Sequence, residues 1–351
     1  MRNPFSQYAL AAAAALLATC VLAAAPKKVL VLTQSKGFVH SVVKRPSPDE
    51  LCLVEKTMIE IAGESGVFVT ENSQDAIASL TKENLKQYDA LFFYTTGTLL
   101  PAGEPREALL DFVKSGKGFI GVHSSSDTFA DFKGYVDMIN GNFGGHPWGS
   151  GTMVTYTNHE PKNAITAMYG DEFSFKEETY QYKPGSYNPD SVRVLISLNM
   201  TKTEPKMPWH VPVCWVREFG DGRLFYTNFG HNESTWKDAK FHAHLIAGIR
   251  WALKLDQGPA TPNPEVQAVE TIKSFAVTVA SLVGQPSATL SEKLVAKAGK
   301  DAKVRQSLVA AIGEFRKLPT PDPKKATPED VDKAQAARSA AASKIVADAG
   351  I

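Results

Sequence analysis

The chain has 351 residues, 43% hydrophobic and 21% charged, which suits one large globular domain or two smaller ones and excludes a disordered or fibrous protein. A formal net charge of +1, with no long run of like charge, argues against nucleic acid or another polyanion as partner.

At the N-terminus, Arg2 precedes a short Ala-rich apolar run from Ala9 to Ala25. This pattern predicts a secretory signal peptide over residues 1–25, cleaved near Ala23 to Ala25. The run is short for a bilayer span, which needs about 20 apolar residues. The mature chain is therefore expected without a membrane span, in the periplasm or outside the cell. Leu17-Ala18-Thr19-Cys20 is close to a bacterial lipobox, although Thr fits poorly there, and lipid anchoring at Cys20 is the lesser alternative. After cleavage Cys52 and Cys214 remain, both among apolar residues. They read as two buried small hydrophobes, with a disulfide as the alternative.

Lys28–Thr33 is a continuous apolar run of the kind buried on both faces of a parallel sheet. The loop 34–41 carries Gly37 and His40, and Ser47-Pro48-Asp49-Glu50 signals a helix start. Further strands are expected at Val67–Thr70, Ala90–Tyr94 and Gly118–Val122, with helices around 76–85 and 104–114 between them. This alternation predicts a parallel sheet with right-handed crossovers. After Gly145 the pattern changes. Strands are expected at 152–157, 192–197, 211–216 and 223–228, with Asp221-Gly222 as a hairpin turn, an irregular insertion over 158–190, and a helix over about 235–255. The first domain thus spans 26–257. Gly258-Pro259-Ala260-Thr261-Pro262-Asn263-Pro264 is a linker, and residues 258–351 form a helical extension suited to packing or to a protein partner.

Ligands of open parallel sheets bind beyond the carboxyl ends of the strands. Gly118-Phe119-Ile120-Gly121-Val122 runs directly into His123-Ser124-Ser125-Ser126-Asp127, which makes His123 the leading site candidate.

The order of Lys36-Gly37-Phe38-Val39-His40, Gly118 through Asp127, Gly141-Asn142-Phe143-Gly144-Gly145-His146-Pro147, Glu177-Glu178-Thr179-Tyr180, Pro212-Val213-Cys214-Trp215 and Gly222 through His231 resembles the ThuA-like (trehalose-utilisation) family. The resemblance runs from about Lys28 to Leu253. It implies a flavodoxin-like, class I glutamine amidotransferase-like three-layer α/β sandwich with a mostly parallel sheet, to which the C-terminal helices are added. It also implies a role in sugar utilisation. Amidotransferases of that superfamily carry a nucleophilic Cys on the turn where this chain has His123, so glutamine hydrolysis through a thioester is excluded. His231-Asn232-Glu233 is similar to the His-x-Glu end of their triad.

Residue by residue, His123 could serve as general base, general acid or metal ligand, at the N-terminus of a following helix that would favour neutral imidazole. Asp127 would orient it or hold a sugar hydroxyl, while one of Ser124, Ser125 and Ser126 would cap the helix. His231 ends the last core strand, with Glu233 to orient it. Glu178 and Tyr180 match the family's acid-x-Tyr pattern and share one face if extended. They are placed with His123, His231 and Asp127 as catalytic. His40, Ser124, His146 and Trp148 are placed as sugar-binding, with Trp148, Trp209 and Trp236 as stacking surfaces. His159 and His210 are weaker candidates, and His242 and His244 do not share a helix face. No redox cofactor is required for acid/base chemistry on a sugar, and no other is certain, but His40, His123, Glu178 and His231 would suffice for Zn²⁺ or another divalent ion if they converge in space. The expected chemistry is acid/base work on a sugar or keto-sugar (isomerisation, epimerisation, elimination or hydration). The alternatives are a non-catalytic sugar-binding or scaffold module and a glycoside or ester hydrolase.

Overall fold

The computed structural model describes residues 25–321 and 325–351. The segment predicted as a signal peptide lies outside the described residues up to residue 24, Cys20 included, as do residues 322–324.

Nine strands form one sheet: β1 (Lys27–Leu32), β2 (Phe68–Ser73), β3 (Ala90–Phe93), β4 (Gly118–Val122), β5 (Met153–Asn158), β6 (Glu172–Lys176), β7 (Arg193–Leu198), β8 (Pro212–Phe219) and β9 (Gly222–Thr227). Their order is β2-β1-β3-β4-β9-β8-β7-β5-β6. The first five in this order pair in parallel. From β9 onward every pairing is antiparallel. The expectation of a mostly parallel sheet is therefore corrected to a mixed sheet. β8 and β9 are joined through the tight turn at Asp221, and no crossover helix separates β5, β6, β7 and β8. Chain that returns without a crossover can pair only antiparallel. The insertion expected to be irregular contains β6, whose alternating exposure marks it as the edge strand of this half.

Alternate residues of β1 point to opposite faces, as a pleated strand requires. Val29 and Val31 pack with Val54, Met58 and Ile61 of α1 (Leu53–Ser65), and the α6 (Ala239–Ala252) residues Phe241, Leu245 and Ile249 join the same core. Leu30 and Leu32 join the core on the other face, with Leu109 and Val113 of α4 (Glu104–Lys114) and Tyr135 and Ile139 of α5 (Lys133–Ile139). The helix expected around 76–85 is two short ones, α2 (Ala76–Ser79) and α3 (Lys82–Leu85), because the Thr81 side chain caps a new start. α1 begins later than its sequence signal. Cys52 occupies its N-cap, and Glu55 reaches back to the Cys52 amide. Cys52 and Cys214 are both buried free thiols.

The C-terminal extension forms α7 (Pro264–Val279), α8 (Ser287–Lys300), α9 (Ala302–Arg316) and α10 (Pro328–Asp348), with a hydrophobic core of its own built on Ile272, Phe275, Leu294, Ile312 and Ile345. Asp301, capping two amides, divides what reads as one helix over 291–315. The stretch Pro264–Val283 is long and apolar enough to cross a membrane by composition, and its buried residues pack into this helical core. Asn263 ties the linker to β7 by accepting from the Val194 amide and donating to the Val194 carbonyl.

Candidate functional site

β4 and β9 are parallel neighbours, so their carboxyl ends deliver His123 and the Asn228–His231 segment to one place. His123 adopts φ 46°, a left-handed conformation rarely taken by a residue with a side chain, on the sharp turn out of β4. Such strain persists where surrounding structure enforces it, often at functional sites. The helix expected after His123 is instead a short 3-10 turn, His123–Asp127. The dipole of a full helix is therefore not what sets the imidazole. Its Nδ1 lies 2.7 Å from the Asn228 carbonyl oxygen, which can only accept, so Nδ1 carries a proton and Nε2 is turned into the site.

Around that nitrogen stand His231 Nδ1 at 3.2 Å and Glu178 Oε2 at 3.4 Å, and His231 Nδ1 is 3.0 Å from Glu178 Oε2. His40 completes the group. One donor atom from each of His40, His123, Glu178 and His231 lies within 4.8 Å of all the others. His40 Nδ1 is buried without a partner, while His40 Nε2 lies 3.3 Å from the Tyr180 hydroxyl. The Tyr180 ring sits 4.3 Å from the His123 ring, centroid to centroid. Glu178 and Tyr180 thus share a face as the extended reading predicts. His146 stands at the rim with a half-exposed side chain, Nδ1 3.3 Å from Glu178 Oε1.

Two segments hold this rim together. Residues 144–149 run antiparallel beside 178–183, with the Thr179 amide donating to the Trp148 carbonyl and the Gly144 amide to the Gln181 carbonyl. A Cβ at Gly144 would come within 2.7 Å of the Lys183 amide nitrogen, so only glycine allows the approach.

The electrostatics follow from this packing. Burial by itself would raise the Glu178 carboxyl, but hydrogen bonds from His123 and His231 outweigh it and hold the group well below the usual carboxylate range. Burial would lower His231, and bonding to Glu178 raises it instead. Burial, then the neighbouring His123 and His231, push His40 down to about 2, so its ring is neutral. Burial and the Glu178 charge drive the Tyr180 phenol far up, so it keeps its proton.

Several expected roles are corrected. Among the described residues no side-chain hydrogen bond joins Asp127 to His123. Asp127 stays in the turn with its carboxyl raised by burial, and the Asn228 carbonyl does the orienting. Glu233 is exposed and forms no ion pair with His231, so Glu178 takes the part expected of it. Trp148 and Trp236 are buried in the core, with their indole N–H groups donating to the Pro205 and Gly230 carbonyls. Neither offers a stacking face. The Ser124 and Ser125 hydroxyls are buried without partners and cap no helix. His159 and His210 meet elsewhere, on either side of the Ser197 hydroxyl at 2.9 and 2.6 Å. His244 is buried between the Ile165 carbonyl and Thr227, and His242 lies against the Trp236 carbonyl.

Sequence reasoning missed Glu177, which it named only within the Glu177-Glu178-Thr179-Tyr180 motif. It is fully buried, and its carboxylate accepts from the Glu178 amide, the Gly230 amide and the Thr235 hydroxyl. It fastens the loop that carries His231. The period of two that puts Glu178 and Tyr180 on one face sends Glu177 and Thr179 to the other, and that was the available signal. Asn228 was also missed. Its side-chain oxygen accepts from the Tyr180 amide while its carbonyl holds His123.

Fold and site together define an α/β protein with a histidine–carboxylate cluster at the carboxyl ends of its parallel strands. The family model described as trehalose utilisation, ThuA, matches residues 28–252. The chain belongs to the ThuA family. A ThuA-like protein of Bacteroides uniformis is similar in structure, with TM-score 0.54 and 21% identity over 69% of this chain and 96% of that one. A second, from Parabacteroides merdae, has TM-score 0.51 and 14% identity over 68% and 98%. No curated protein matches the chain. The family match ends before the linker, so the helical extension lies beyond it.

Proposed function

We propose that this protein is an exported enzyme of carbohydrate utilisation that moves protons on a sugar or keto-sugar, with a divalent cation such as Zn²⁺ held by His40, His123, Glu178 and His231. The observation that carries the reading is the convergence of these four donors. The donor set fits a cation in two further respects. Nε2 of His123 faces the cluster, and its other nitrogen is held by a carbonyl, as in ligating histidines generally. A buried ring nitrogen of His40 has no partner at all. Three imidazoles and a carboxylate suit zinc. Bound there, the ion would polarise a carbonyl or hydroxyl oxygen of the sugar.

The surrounding residues supply the proton chemistry. Tyr180 keeps its proton and can donate a hydrogen bond to a sugar oxygen. His146, half-exposed beside Glu178, is placed to act as the base within reach of both substrate and solvent. A carbonyl acidifies the adjacent C–H, so one such base and one such acid suffice for isomerisation, epimerisation or elimination. The leader over residues 1–25 supports export.

The test is metal analysis of the purified protein together with deuterium uptake from D₂O into glucosides oxidised to ketones, followed by NMR. A stoichiometric cation lost in His123→Ala and His231→Ala, and uptake slowed about 100-fold in His146→Ala, are expected. Sugar binding with no uptake in the cation-loaded protein would make it a binding module instead.

A further inference from the structure

Between the α/β domain and the helical extension lies a cavity of about 570 Å³ that opens to solvent, the size of a small-molecule site. Its lining shares nothing with the histidine cluster. One wall is α9, where Arg305, Val309, Ile312 and Arg316 recur at helical spacing on a single face. The opposite wall includes Tyr187 and Trp209 of the α/β domain, and Asp190 and Glu265 stand exposed among the lining residues.

Arg316 is the unusual member. Its guanidinium lies 4.3 Å from the centre of the Trp209 ring, and Nη2 donates to the Tyr182 carbonyl. Burial lowers its pKa, yet among the described residues no carboxylate pairs with it. A half-buried guanidinium without a counter-charge is costly. Arg305, in contrast, is offset by Glu265 at 3.5 Å and by the Ala298 carbonyl. Among the described residues the cavity therefore has one guanidinium without a carboxylate partner, an aromatic and aliphatic lining, and the exposed Asp190 carboxylate at its edge.

We propose that this cavity binds a sugar acid, with its carboxylate on Arg316 and its hydroxyls towards Asp190. The guanidinium fork matches a carboxylate bidentately. The hydroxylated body separates this ligand from a simple anion. Because α9 lies beyond the family match, the site is a feature of this chain's extension and not of the histidine cluster.

Calorimetric titration of the full chain with glucuronate, glucose and acetate, in the presence of EDTA, tests this. Glucuronate should saturate one site, with glucose and acetate each at least about ten-fold weaker. Arg316→Gln should remove the advantage of glucuronate, whereas His123→Ala should leave it intact. Where Arg316→Gln melts early, Arg316→Lys is read in its place. It keeps the charge but loses the fork, and should still weaken glucuronate several-fold. No saturable glucuronate binding, equal binding of acetate, loss of binding in His123→Ala, or unchanged affinity in both Arg316 variants would overturn the proposal.

Discussion

His123 Nδ1 is 2.7 Å from the carbonyl oxygen of Asn228, just past the end of the neighbouring parallel strand. This single bond fixes the tautomer and aims Nε2 at His231 and Glu178. A backbone acceptor cannot titrate, so the orientation holds at any pH at which the protein is folded. His123 is thus positioned by main chain and Glu178 by side chains, which makes the two differently sensitive to substitution.

The left-handed backbone at His123 sets up an unusual comparison. Glycine tolerates φ 46° and alanine does not. His123→Gly should be more stable than His123→Ala by about 1 kcal/mol, the reverse of the usual order. Urea unfolding of both variants measures this, and an alanine variant at least as stable as the glycine one would contradict the strain.

Glu177 anchors the His231 loop through three donors. Glu177→Ala leaves buried donors unmatched at about 1–3 kcal/mol each, so a loss of roughly 3 kcal/mol or more is expected. Glu177→Gln keeps the shape and should cost less. Cation affinity should fall about 10- to 100-fold in the alanine variant, because the carboxylate supports a ligand-bearing loop. Equilibrium dialysis against Zn²⁺ reads this, and unchanged affinity would show that the loop holds itself.

Acid should destabilise the cation-free protein. Burial first of all lowers His210 to about 3 and His244 to about 4, and His40 lies near 2. Each is neutral when folded but takes a proton when unfolded below the ordinary histidine value of 6.5. The unfolded state then binds more protons, so stability falls as pH drops from 6.5 towards 4, by about 1.4 kcal/mol per pH unit for each group once well below 6.5. His231 has the opposite sign. Its raised folded value contributes stability that is present below 6.5 and lost as pH rises through that value. Maximum stability is therefore expected near pH 6.5. Urea midpoints across pH 4.5–8 measure the curve, and a flat acid limb would refute neutral burial of these rings.

Cys52 and Cys214 are separate buried thiols. The thermal midpoint should be the same with and without a thiol reductant. A fall of several degrees on reduction would require a bridge that the fold does not contain.

Much of this protein was legible in the sequence alone. Continuous apolar runs such as Val29–Leu32 identify strands buried on both faces, and the His123 and His231 positions follow from where such runs end. Glu178 and Tyr180 share a face because a strand-like segment alternates. These are local properties, set by backbone period and burial. Pairing direction beyond β9, the role of Asn228 and the burial of Glu177 and Trp148 were not legible. A tryptophan reads the same whether it stacks on a sugar or fills the core, and a Glu-Glu pair reads the same whether solvated or anchored. Only the meeting of segments some 50 to 190 residues apart decided that His40, His123, Glu178 and His231 form one cluster, because their donor atoms converge in space and not along the chain.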